Sequence, residues 1–337
     1  MFWIITREKS PGDIAVTSTY LKIIKKSIES AGSNCKIWDG VSRINKKDYL
    51  IFDECKTAIP YILKGYSNII VWIQGVVPEE ALMKGYAKYR YIIHSILEYI
   101  TLCRAKVVFF CSNEMRTHYE SKYRLVLSNK SFIMPCFNED DISNNDFFQT
   151  NKYKNNSFLY VGTLNVWQCF EETVQIYKEI EQRTDKKTYL YVYTPDQDKA
   201  IRILEKYQIK NYTLDYLPAD KLGKKLGKFK YGFVLRKDNI VNRVATPTKL
   251  SNYIAHGVIP IYSDCLRSFH EYKKKSNGFA VVCNLEKKDE GVANIISSMQ
   301  EDISPNEIED WCRKTFKSYY NQKDYINRIR VIIKSLS

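Results

Sequence analysis

The sequence predicts an α/β protein of two doubly wound domains, each built on a parallel sheet covered by helices. Short apolar runs of strand length alternate with amphipathic runs of helix length through most of the 337 residues. This alternation stops once, at residues 138–157, where Asn, Asp, Lys and Ser dominate, and it then starts again. A content of 45% hydrophobic and 27% charged residues is typical of a globular chain and argues against a largely disordered one.

Several strands are predicted in the first half of the chain. The run at 68–74 (NIIVWIQ) is apolar at nearly every position, as a parallel strand buried on both faces should be. A turn at 10–13 (SPGD) separates the first strand from a helix that runs to about Ser30 and is ended by Ala31 and Gly32. The remaining elements are, in order, strands at 2–6, 49–52, 106–111 and 131–135 and helices at 85–104 and 113–123.

The same alternation of strands and helices resumes after residue 157. Strands are predicted at 158–161, 189–193, 212–217, 231–235, 258–262 and 279–283. Helices are predicted at 171–182, 198–207, 219–229 and 247–256, followed by further helices at 291–300, 305–316 and 324–335. The domains are therefore expected to be residues 1–150 and 151–337, with the last helix able to pack back on the first domain.

The chain carries a large positive charge. Its 52 Lys and Arg residues against 38 Asp and Glu residues give a formal net charge of +14. Such an excess indicates an anionic partner, which from charge alone is a nucleic acid, a nucleotide, an anionic lipid or an acidic glycan. No known nucleic-acid-binding motif occurs and the cations are spread over both halves, so no nucleic-acid partner is expected.

The nine cysteines are odd in number and scattered, and no two of them form a CxxC pair. This spacing argues against a disulfide framework or a zinc site and favours buried thiols in a reducing compartment. The apolar run at the N-terminus is too short for a signal peptide, and no stretch of about 18 apolar residues is present to cross a membrane. We therefore expect a cytoplasmic chain, free or peripheral on the inner face of the cell membrane.

The segment at 231–264 gives the strongest indication of chemistry. Thr246 is a suitable N-cap, and Pro247 suits the first helical position, where its missing N–H costs nothing. The unpaired N–H groups of that first turn, together with Lys249, favour an anion site. Arg236 lies at the carboxyl end of the preceding strand, where α/β sheets bind ligands. An ordinary capped helix with solvated basic residues is the alternative.

Residues 247–257 (PTKLSNYIAHG), followed by an apolar strand, resemble the donor-site signature of glycosyltransferases with the GT-B fold, particularly glycosyltransferase family 4. The resemblance includes the strand and turn at 158–164, where that family opens its second domain, and more loosely residues 71–75 in the first half. It implies two Rossmann-like domains that face a central cleft. The first domain would bind the acceptor, and the second would bind the nucleotide-sugar donor.

The activity implied by this resemblance is transfer of a sugar from a nucleotide-sugar donor, such as a UDP- or GDP-sugar, to a glycan or lipid-linked glycan acceptor. A retaining outcome without a metal or other cofactor is typical of such enzymes. A lipid-linked acceptor would place the reaction in the assembly of a bacterial surface polysaccharide.

The resemblance assigns donor binding to a strand end, a loop and a helix. Arg236, Arg243 and Lys249 are expected to hold the diphosphate, because fixed cations stabilise its concentrated negative charge. Asn252 stands where the family has a glutamate that hydrogen-bonds the ribose. The full set of expected donor-binding residues is Gly12, Arg236, Arg243, Thr248, Lys249, Leu250 and Asn252.

The sequence departs from the family pattern in two places. The other glutamate of the family falls on Val244, which cannot contact a sugar hydroxyl, and the early Arg and Lys are missing from residues 165–169 (NVWQC). These departures leave open a catalytically degenerate GT-B protein that acts as a partner subunit. Further alternatives are an enzyme that converts a sugar nucleotide without an acceptor and, less favoured, a basic nucleic-acid-binding protein.

The candidate catalytic residues lie in the first half and are Gln74, Glu79 and Asp13. Gly12 and Asp13 follow the first strand, in a loop that faces the cleft of GT-B enzymes; a plain turn is the alternative. Gln74 ends a buried strand, where it could hold the acceptor or the donor sugar. Glu79 is expected either to bind a sugar hydroxyl or accept a proton, or to complement the positive end of the next helix.

A basic and aromatic segment at 84–106 precedes a predicted strand. Its apolar residues share one helical face and are Tyr89, Ile92, Ile93, Ile96 and Ile100. Its flanking cations include Lys84, Lys88 and Arg90. Such flanks are typical of a helix at an anionic membrane surface, and a core helix with a solvated back is the alternative.

Overall fold

The computed structural model describes residues 1–6 and 15–336, and within them the chain forms two six-stranded parallel sheets. The prediction of an α/β chain with a doubly wound sheet in each half is confirmed. The chain divides into two compact units. The first unit comprises Met1–Asn138, Val244–Thr246 and Asn321–Ser337, and the second comprises Glu139–Arg243 and Pro247–Tyr320.

The sheet of the first unit is built from β1 (Phe2–Ile5), β2 (Cys35–Ile37), β3 (Tyr49–Phe52), β4 (Ile69–Ile73), β5 (Ala105–Phe110) and β6 (Ser131–Ile133). The strands lie in the order β2-β1-β3-β4-β5-β6, and each neighbouring pair is parallel. β4 is buried at every position, as expected of its apolar run. The apolar pattern does not predict β2, because only Cys35 of its residues is buried.

The helices that cover this sheet before residue 124 are α1 (Ala15–Ser30), α2 (Cys55–Leu63), α3 (Val77–Met83), α4 (Lys88–Arg104) and α5 (Asn113–Tyr123). The helix predicted at 85–104 forms from Lys88, and the short α3 stands before it. At the start of α5 the Ser112 Oγ accepts the backbone N–H of Met115 at 3.1 Å, which satisfies one free donor of the first turn.

The sheet of the second unit is built from β7 (Asn156–Val161), β8 (Thr188–Tyr193), β9 (Tyr212–Asp215), β10 (Tyr231–Val234), β11 (Ile259–Tyr262) and β12 (Val281–Val282). Its order is β12-β11-β10-β7-β8-β9, and all neighbours are parallel. The chain therefore builds outward from β7 to one edge, crosses over to β10 and builds to the other edge. A doubly wound sheet binds ligands at this change of direction.

The helices of the second unit are α6 (Phe170–Arg183), α7 (Gln197–Lys206), α8 (Ala219–Leu226), α9 (Ile240–Arg243), α10 (Thr248–Ala255), α11 (Arg267–Ser276), α12 (Lys288–Gln300) and α13 (Pro305–Ser318). The apolar pattern does not predict α9 or α11. α11 reads RSFHEYKKKS and buries only Phe269, so its apolar periodicity is too weak to detect.

The last helix, α14 (Gln322–Leu336), belongs to the first unit, where it packs against α1. Its Ile329 and Ile333 lie one turn apart and are fully buried. The hydroxyl of Tyr49 donates to the carbonyl of Leu336 at 2.5 Å and holds the end of the helix to the start of β3.

The polar segment at 138–157 is hydrogen-bonded to the carboxyl end of α10. The N–H of Ser143 donates to the carbonyl of Ala255 at 2.7 Å, and the hydroxyl of Tyr153 donates to that of Gly257 at 2.9 Å. Residues 139–150, which the sequence places in the first domain, therefore lie in the second unit. The physical reason is that the last carbonyls of a helix have no partner within the helix and attract donors.

Lys152 completes this set of donors. Its side chain is buried, and Nζ donates to the carbonyls of Asp146 at 3.0 Å and His256 at 2.5 Å. Burial lowers the pKa of the ammonium to about 7, although the Asp146 carboxylate opposes the shift.

We expect Lys152 to make the free energy of unfolding depend on pH. Its folded pKa of about 7 lies below the unfolded value of about 10.4, so the unfolded chain binds the extra proton between these values. The free energy of unfolding of the wild type should therefore rise with pH in this window, whereas that of Lys152→Met lacks this contribution. From about pH 7 to about pH 9 the wild type should gain about 2 kcal/mol more than the variant. Urea unfolding of both proteins at the two pH values measures the difference, and parallel pH profiles would contradict it.

Candidate functional site

The carboxyl ends of β7 and β10 lie side by side where the second sheet changes direction. Gly162 follows β7, and Arg236 follows β10 after one intervening residue. The loop at 163–169 leads from β7 to α6, and the short α9 and then α10 follow β10. Because open α/β sheets bind ligands at such a point, these pieces of chain form the candidate site.

Arg236 is almost completely buried at this strand end. Its backbone N–H donates to the Ser263 Oγ at 2.9 Å. Its guanidinium donates from Nη2 to the Gln168 Oε1 at 2.7 Å and from Nη1 to the carbonyls of Leu235 and Gln168 at 2.8 and 3.3 Å. Burial lowers the pKa of the guanidinium. Among the described residues, the acceptors that fix this guanidinium are all neutral.

Lys249 reaches the same acceptor from the first turn of α10. Its Nζ donates to the Gln168 Oε1 at 2.7 Å and lies 5.1 Å from the centre of the Tyr160 ring, in cation–π contact. Burial, and then the charge of Arg236, hold the pKa of the Lys249 ammonium well below its ordinary value. Two cations thus converge on one amide oxygen.

Neither cation forms an ion pair with a carboxylate in the part of the chain that the structure describes. Arg236 is buried and Lys249 half-buried, so holding both charges without a counterion is costly, and an anion bound between them would offset that cost. The amino end of α10 adds a partial positive charge at the same place. The arrangement is suited to a compact, highly charged anion such as a diphosphate.

Gly162 provides the room that Lys249 needs. A Cβ at this position would lie 2.7 Å from the Lys249 Nζ and 2.9 Å from its Cε. The backbone there also has a φ of 125°, which residues with a side chain rarely adopt. The glycine after β7 therefore allows Lys249 to lie against the strand end.

Gln168 is the residue that sequence reasoning missed. The segment at 165–169 draws attention only because it lacks the Arg and Lys of the family pattern. In the structure, Gln168 ends a short 3-10 turn, and its amide orients both Arg236 and Lys249. Its position between β7 and α6 was the one available signal, because nothing in its residue type indicates an anion site.

Arg243 lies outside this convergence. Its Nε and Nη2 donate to the two carboxylate oxygens of Asp238 at 2.5 and 3.1 Å, and the side chain is about half exposed. This hydrogen bonding lowers the pKa of the Asp238 carboxyl. The structure brings together two of the three expected diphosphate ligands and pairs the third with a carboxylate.

The other expected donor-binding residues lie along α10. Thr248 is half-buried at its start, and its carbonyl accepts the Ser251 hydroxyl. Leu250 is buried in the core. The Asn252 Oδ1 is buried without a hydrogen-bond partner among the described residues. A ligand hydroxyl would satisfy that oxygen, as the comparison with a ribose-binding glutamate implies.

The predicted capping of α10 by Thr246 is wrong. Pro247 is the N-cap residue, and the Thr246 Oγ1 accepts the N–H of Cys136 at 3.0 Å in the first unit. Val244 is also held in the first unit, where its carbonyl accepts the Ser112 hydroxyl at 2.7 Å. These bonds to residues distant in the chain take precedence over capping because buried backbone groups require partners.

Gln74 and Glu79 lie in the first unit. Gln74 follows β4 with its side chain exposed, and its Nε2 donates to the carbonyl of Asp53 at 3.2 Å. Its Oε1 has no hydrogen-bond partner among the described residues and lies at the carboxyl edge of the first sheet. It is a position from which a polar ligand could be held.

Glu79 is engaged within the protein. One carboxylate oxygen lies 2.8 Å from the Lys122 Nζ and 3.3 Å from the His118 Nε2. Burial alone would raise the pKa of Glu79, but the close contacts with His118 and Lys122 lower it. A carboxylate held ionised in this way is a poor proton acceptor at neutral pH.

The remaining candidates, Gly12 and Asp13, lie outside the described residues. Among the residues that are described, no cluster of three or more His, Cys, Asp or Glu side chains could hold a metal ion.

No protein-family model matches the sequence, and a search of curated proteins finds no match. Solved structures do match. Sucrose-phosphate synthase from Thermosynechococcus elongatus superposes with a TM-score of 0.70 over 99% of this chain and 98% of that one, at 10% identity. WaaG, a glycosyltransferase involved in lipopolysaccharide biosynthesis, superposes with a TM-score of 0.65 over 98% of this chain and 99% of its own, also at 10% identity. The fold is GT-B.

A third similar structure is a TarM mutant from S. aureus in complex with fondaparinux, alpha-GlcNAc-glycerol and UDP. It has a TM-score of 0.65 and 11% identity, over 88% of this chain and 57% of that chain. This chain therefore spans little more than half the length of TarM. At such identities the similarity establishes the fold of the chain, and its activity has to be argued from the site.

Proposed function

We propose that this GT-B chain is a glycosyltransferase that moves a sugar from a nucleotide-sugar donor to a hydroxyl of a glycan or lipid-linked glycan. The observation that carries the proposal is the pair of cations, the buried Arg236 and the half-buried Lys249, on the Gln168 amide at the strand ends of the second unit. The similarity of residues 247–257 to a donor signature supports it, as does the GT-B fold. Since TarM binds UDP, we propose a UDP- or GDP-sugar as donor.

Departure of the nucleoside diphosphate is the step that this site would assist. As the bond between sugar and diphosphate breaks, negative charge accumulates on the diphosphate oxygens. Arg236 and Lys249 are already held in place by Gln168, so they stabilise that charge without reorganising first. Because a bound anion favours the protonated amine, the pKa of Lys249 should rise when the donor binds.

We propose retaining transfer in which the acceptor hydroxyl attacks on the face that the diphosphate leaves. A diphosphate oxygen would take the proton of that hydroxyl, so no carboxylate nucleophile is needed. This route is compatible with Glu79, whose carboxylate pairs with Lys122. The two cations would supply the positive charge at the leaving group, and we propose that transfer requires no metal.

A GT-B protein that binds a nucleotide without transferring sugar is the second candidate. The observation that favours it is Val244, which is buried where the resembling family has a glutamate. An apolar side chain at that place cannot hydrogen-bond the donor sugar. Another group would have to orient the sugar for transfer to occur.

Binding and turnover separate the two candidates. Isothermal titration calorimetry with UDP, GDP, ADP and CMP should show saturable binding of at least one nucleoside diphosphate. A screen of sugar nucleotides with detergent-solubilised lipid-linked acceptors then tests transfer. Turnover supports the enzyme, and binding without turnover for any donor supports the second candidate. Binding of none of the nucleotides would contradict both.

A further inference from the structure

Helix α4 presents its apolar face to the outside of the protein. Five large side chains of that face are between 46% and 59% exposed, namely Tyr89, Ile92, Ile93, Ile96 and Tyr99, whereas Ile100 on the same face is half-buried. The residues that α4 buries are Glu98, Thr101 and Leu102. Surface helices ordinarily bury the apolar face and expose the charged one, so the orientation of α4 is the reverse of the usual one.

A buried polar network holds α4 in this orientation. The carboxylate of Glu98 accepts the hydroxyls of Tyr119 at 2.8 Å and Tyr123 at 2.6 Å, and it lies 3.4 Å from the Lys122 Nζ. Rotating the helix to bury its isoleucines would break these bonds and leave donors of α5 without an acceptor. The outward apolar face is therefore specified by the fold.

The exposed apolar surface continues onto the preceding segment. Of the eighteen exposed large apolar side chains among the described residues, eight lie between residues 77 and 99. They include Val77, Leu82 and Tyr86, and α3 packs directly on α4. A concentration of this kind marks an interaction surface, whereas single exposed apolar residues do not.

The exposed charges along the stretch of chain that carries this surface have one sign. Every residue from 55 to 112 is described, and the exposed charged side chains in that range are Lys56, Lys64, Lys84, Lys88, Arg90, Arg104 and Lys106. Its acidic residues, Glu79, Glu80 and Glu98, are buried or half-buried. An apolar strip whose stretch of chain exposes cations and no carboxylate matches an anionic lipid surface, which offers acyl chains below a layer of negative headgroups.

We propose that α3 and α4 form a membrane-docking surface that lies in the interface of an anionic lipid bilayer. Within the described ranges no helix is long and apolar enough to span a bilayer, so contact would be parallel to the membrane plane. A second copy of the chain fits less well. A twofold contact through this surface would bring its cations against the same cations of the partner. The proposal does not depend on the proposed enzyme activity.

Vesicle cosedimentation of the full chain tests this docking surface. We expect binding to vesicles of equal parts phosphatidylcholine and phosphatidylglycerol, weaker binding to phosphatidylcholine alone, and weakening by salt. Ile92→Ser with Ile96→Ser should reduce binding by about tenfold or more, because it removes apolar area that enters the interface. Lys88→Gln with Arg90→Gln should reduce binding by about fivefold per cation and abolish the preference for anionic lipid.

The matched control is Val126→Ser with Val331→Ser. Both valines are more exposed than the isoleucines and lie elsewhere on the first unit, so this variant should bind as the wild type does. Failure of the wild type to bind anionic vesicles would overturn the proposal, as would equal binding by the Ile92/Ile96 variant.

Sedimentation equilibrium provides a further test. A wild-type dimer that the isoleucine variant converts to monomer would assign the surface to self-association and overturn membrane docking.

Discussion

Lys249→Met is expected to lower kcat for sugar transfer by about 100-fold or more, a typical effect of removing one fixed donor from the site of developing charge. Methionine keeps the length of the side chain but removes the ammonium that lies 2.7 Å from the Gln168 Oε1. The leaving diphosphate would then be stabilised by Arg236 alone. Initial rates at saturating donor measure the change, with circular dichroism as a check that the fold is intact.

The same substitution should raise the stability of the free protein. Burial and the neighbouring Arg236 hold the pKa of Lys249 well below its ordinary value, so removing the charge removes an unfavourable contribution. Lys224→Met, at an exposed position on α8, is the matched control and should change neither kcat nor the stability of the free protein. Wild-type kcat in Lys249→Met would remove this lysine from the donor site.

Gln168→Glu is expected to weaken nucleotide binding by about 100-fold or more while making the free protein more stable. The side-chain oxygen at this position already lies 2.7 Å from both the Arg236 Nη2 and the Lys249 Nζ. A carboxylate there would neutralise both cations and take the place of the ligand anion. A substitution that merely disrupts the site would lower both nucleotide affinity and protein stability. A loss of affinity together with a gain in stability would therefore indicate that the carboxylate replaces the bound anion.

The control for the added charge is Gln197→Glu, at the exposed start of α7. It should leave nucleotide affinity unchanged, because surface charges in salt act over short distances. Calorimetry and thermal unfolding measure the two effects for each variant. Retention of wild-type affinity by Gln168→Glu would show that the anion does not bind between these cations.

The sheets were predictable because parallel strands buried on both faces are continuous apolar runs. The pattern of β4 and the restart of alternation before β7 identify two doubly wound sheets before any contact is known. Elements that bury few side chains lack this signal. β2 and α11 escape prediction because each buries only one residue.

Residues of the candidate site were predictable from the sequence only where their position at a strand end or a helix start indicates a ligand. Arg236 follows a strand and Lys249 opens a helix, and both positions indicate a ligand without tertiary data. Gln168 matters because distant residues converge on it, and Glu79 is neutralised by Lys122 from α5. No spacing along the chain reveals such contacts.

The orientation of α4 is a similar case. Periodicity shows that its isoleucines share a face, but it does not show whether that face is turned inward. The orientation of α4 is set by Glu98, whose carboxylate accepts hydrogen bonds from Tyr119 and Tyr123 of α5. The sequence therefore left a core helix and a membrane-facing helix as alternatives, and the exposure of Ile92, Ile93 and Ile96 supports our proposal of the second.

The most direct test of the donor site compares nucleoside diphosphate with nucleoside monophosphate of the same base. Calorimetric dissociation constants for wild type should favour the diphosphate by about tenfold or more, because two cations hold its charge. In Lys249→Met most of that preference should disappear while monophosphate affinity changes little. An undiminished preference for the diphosphate in Lys249→Met would contradict the account.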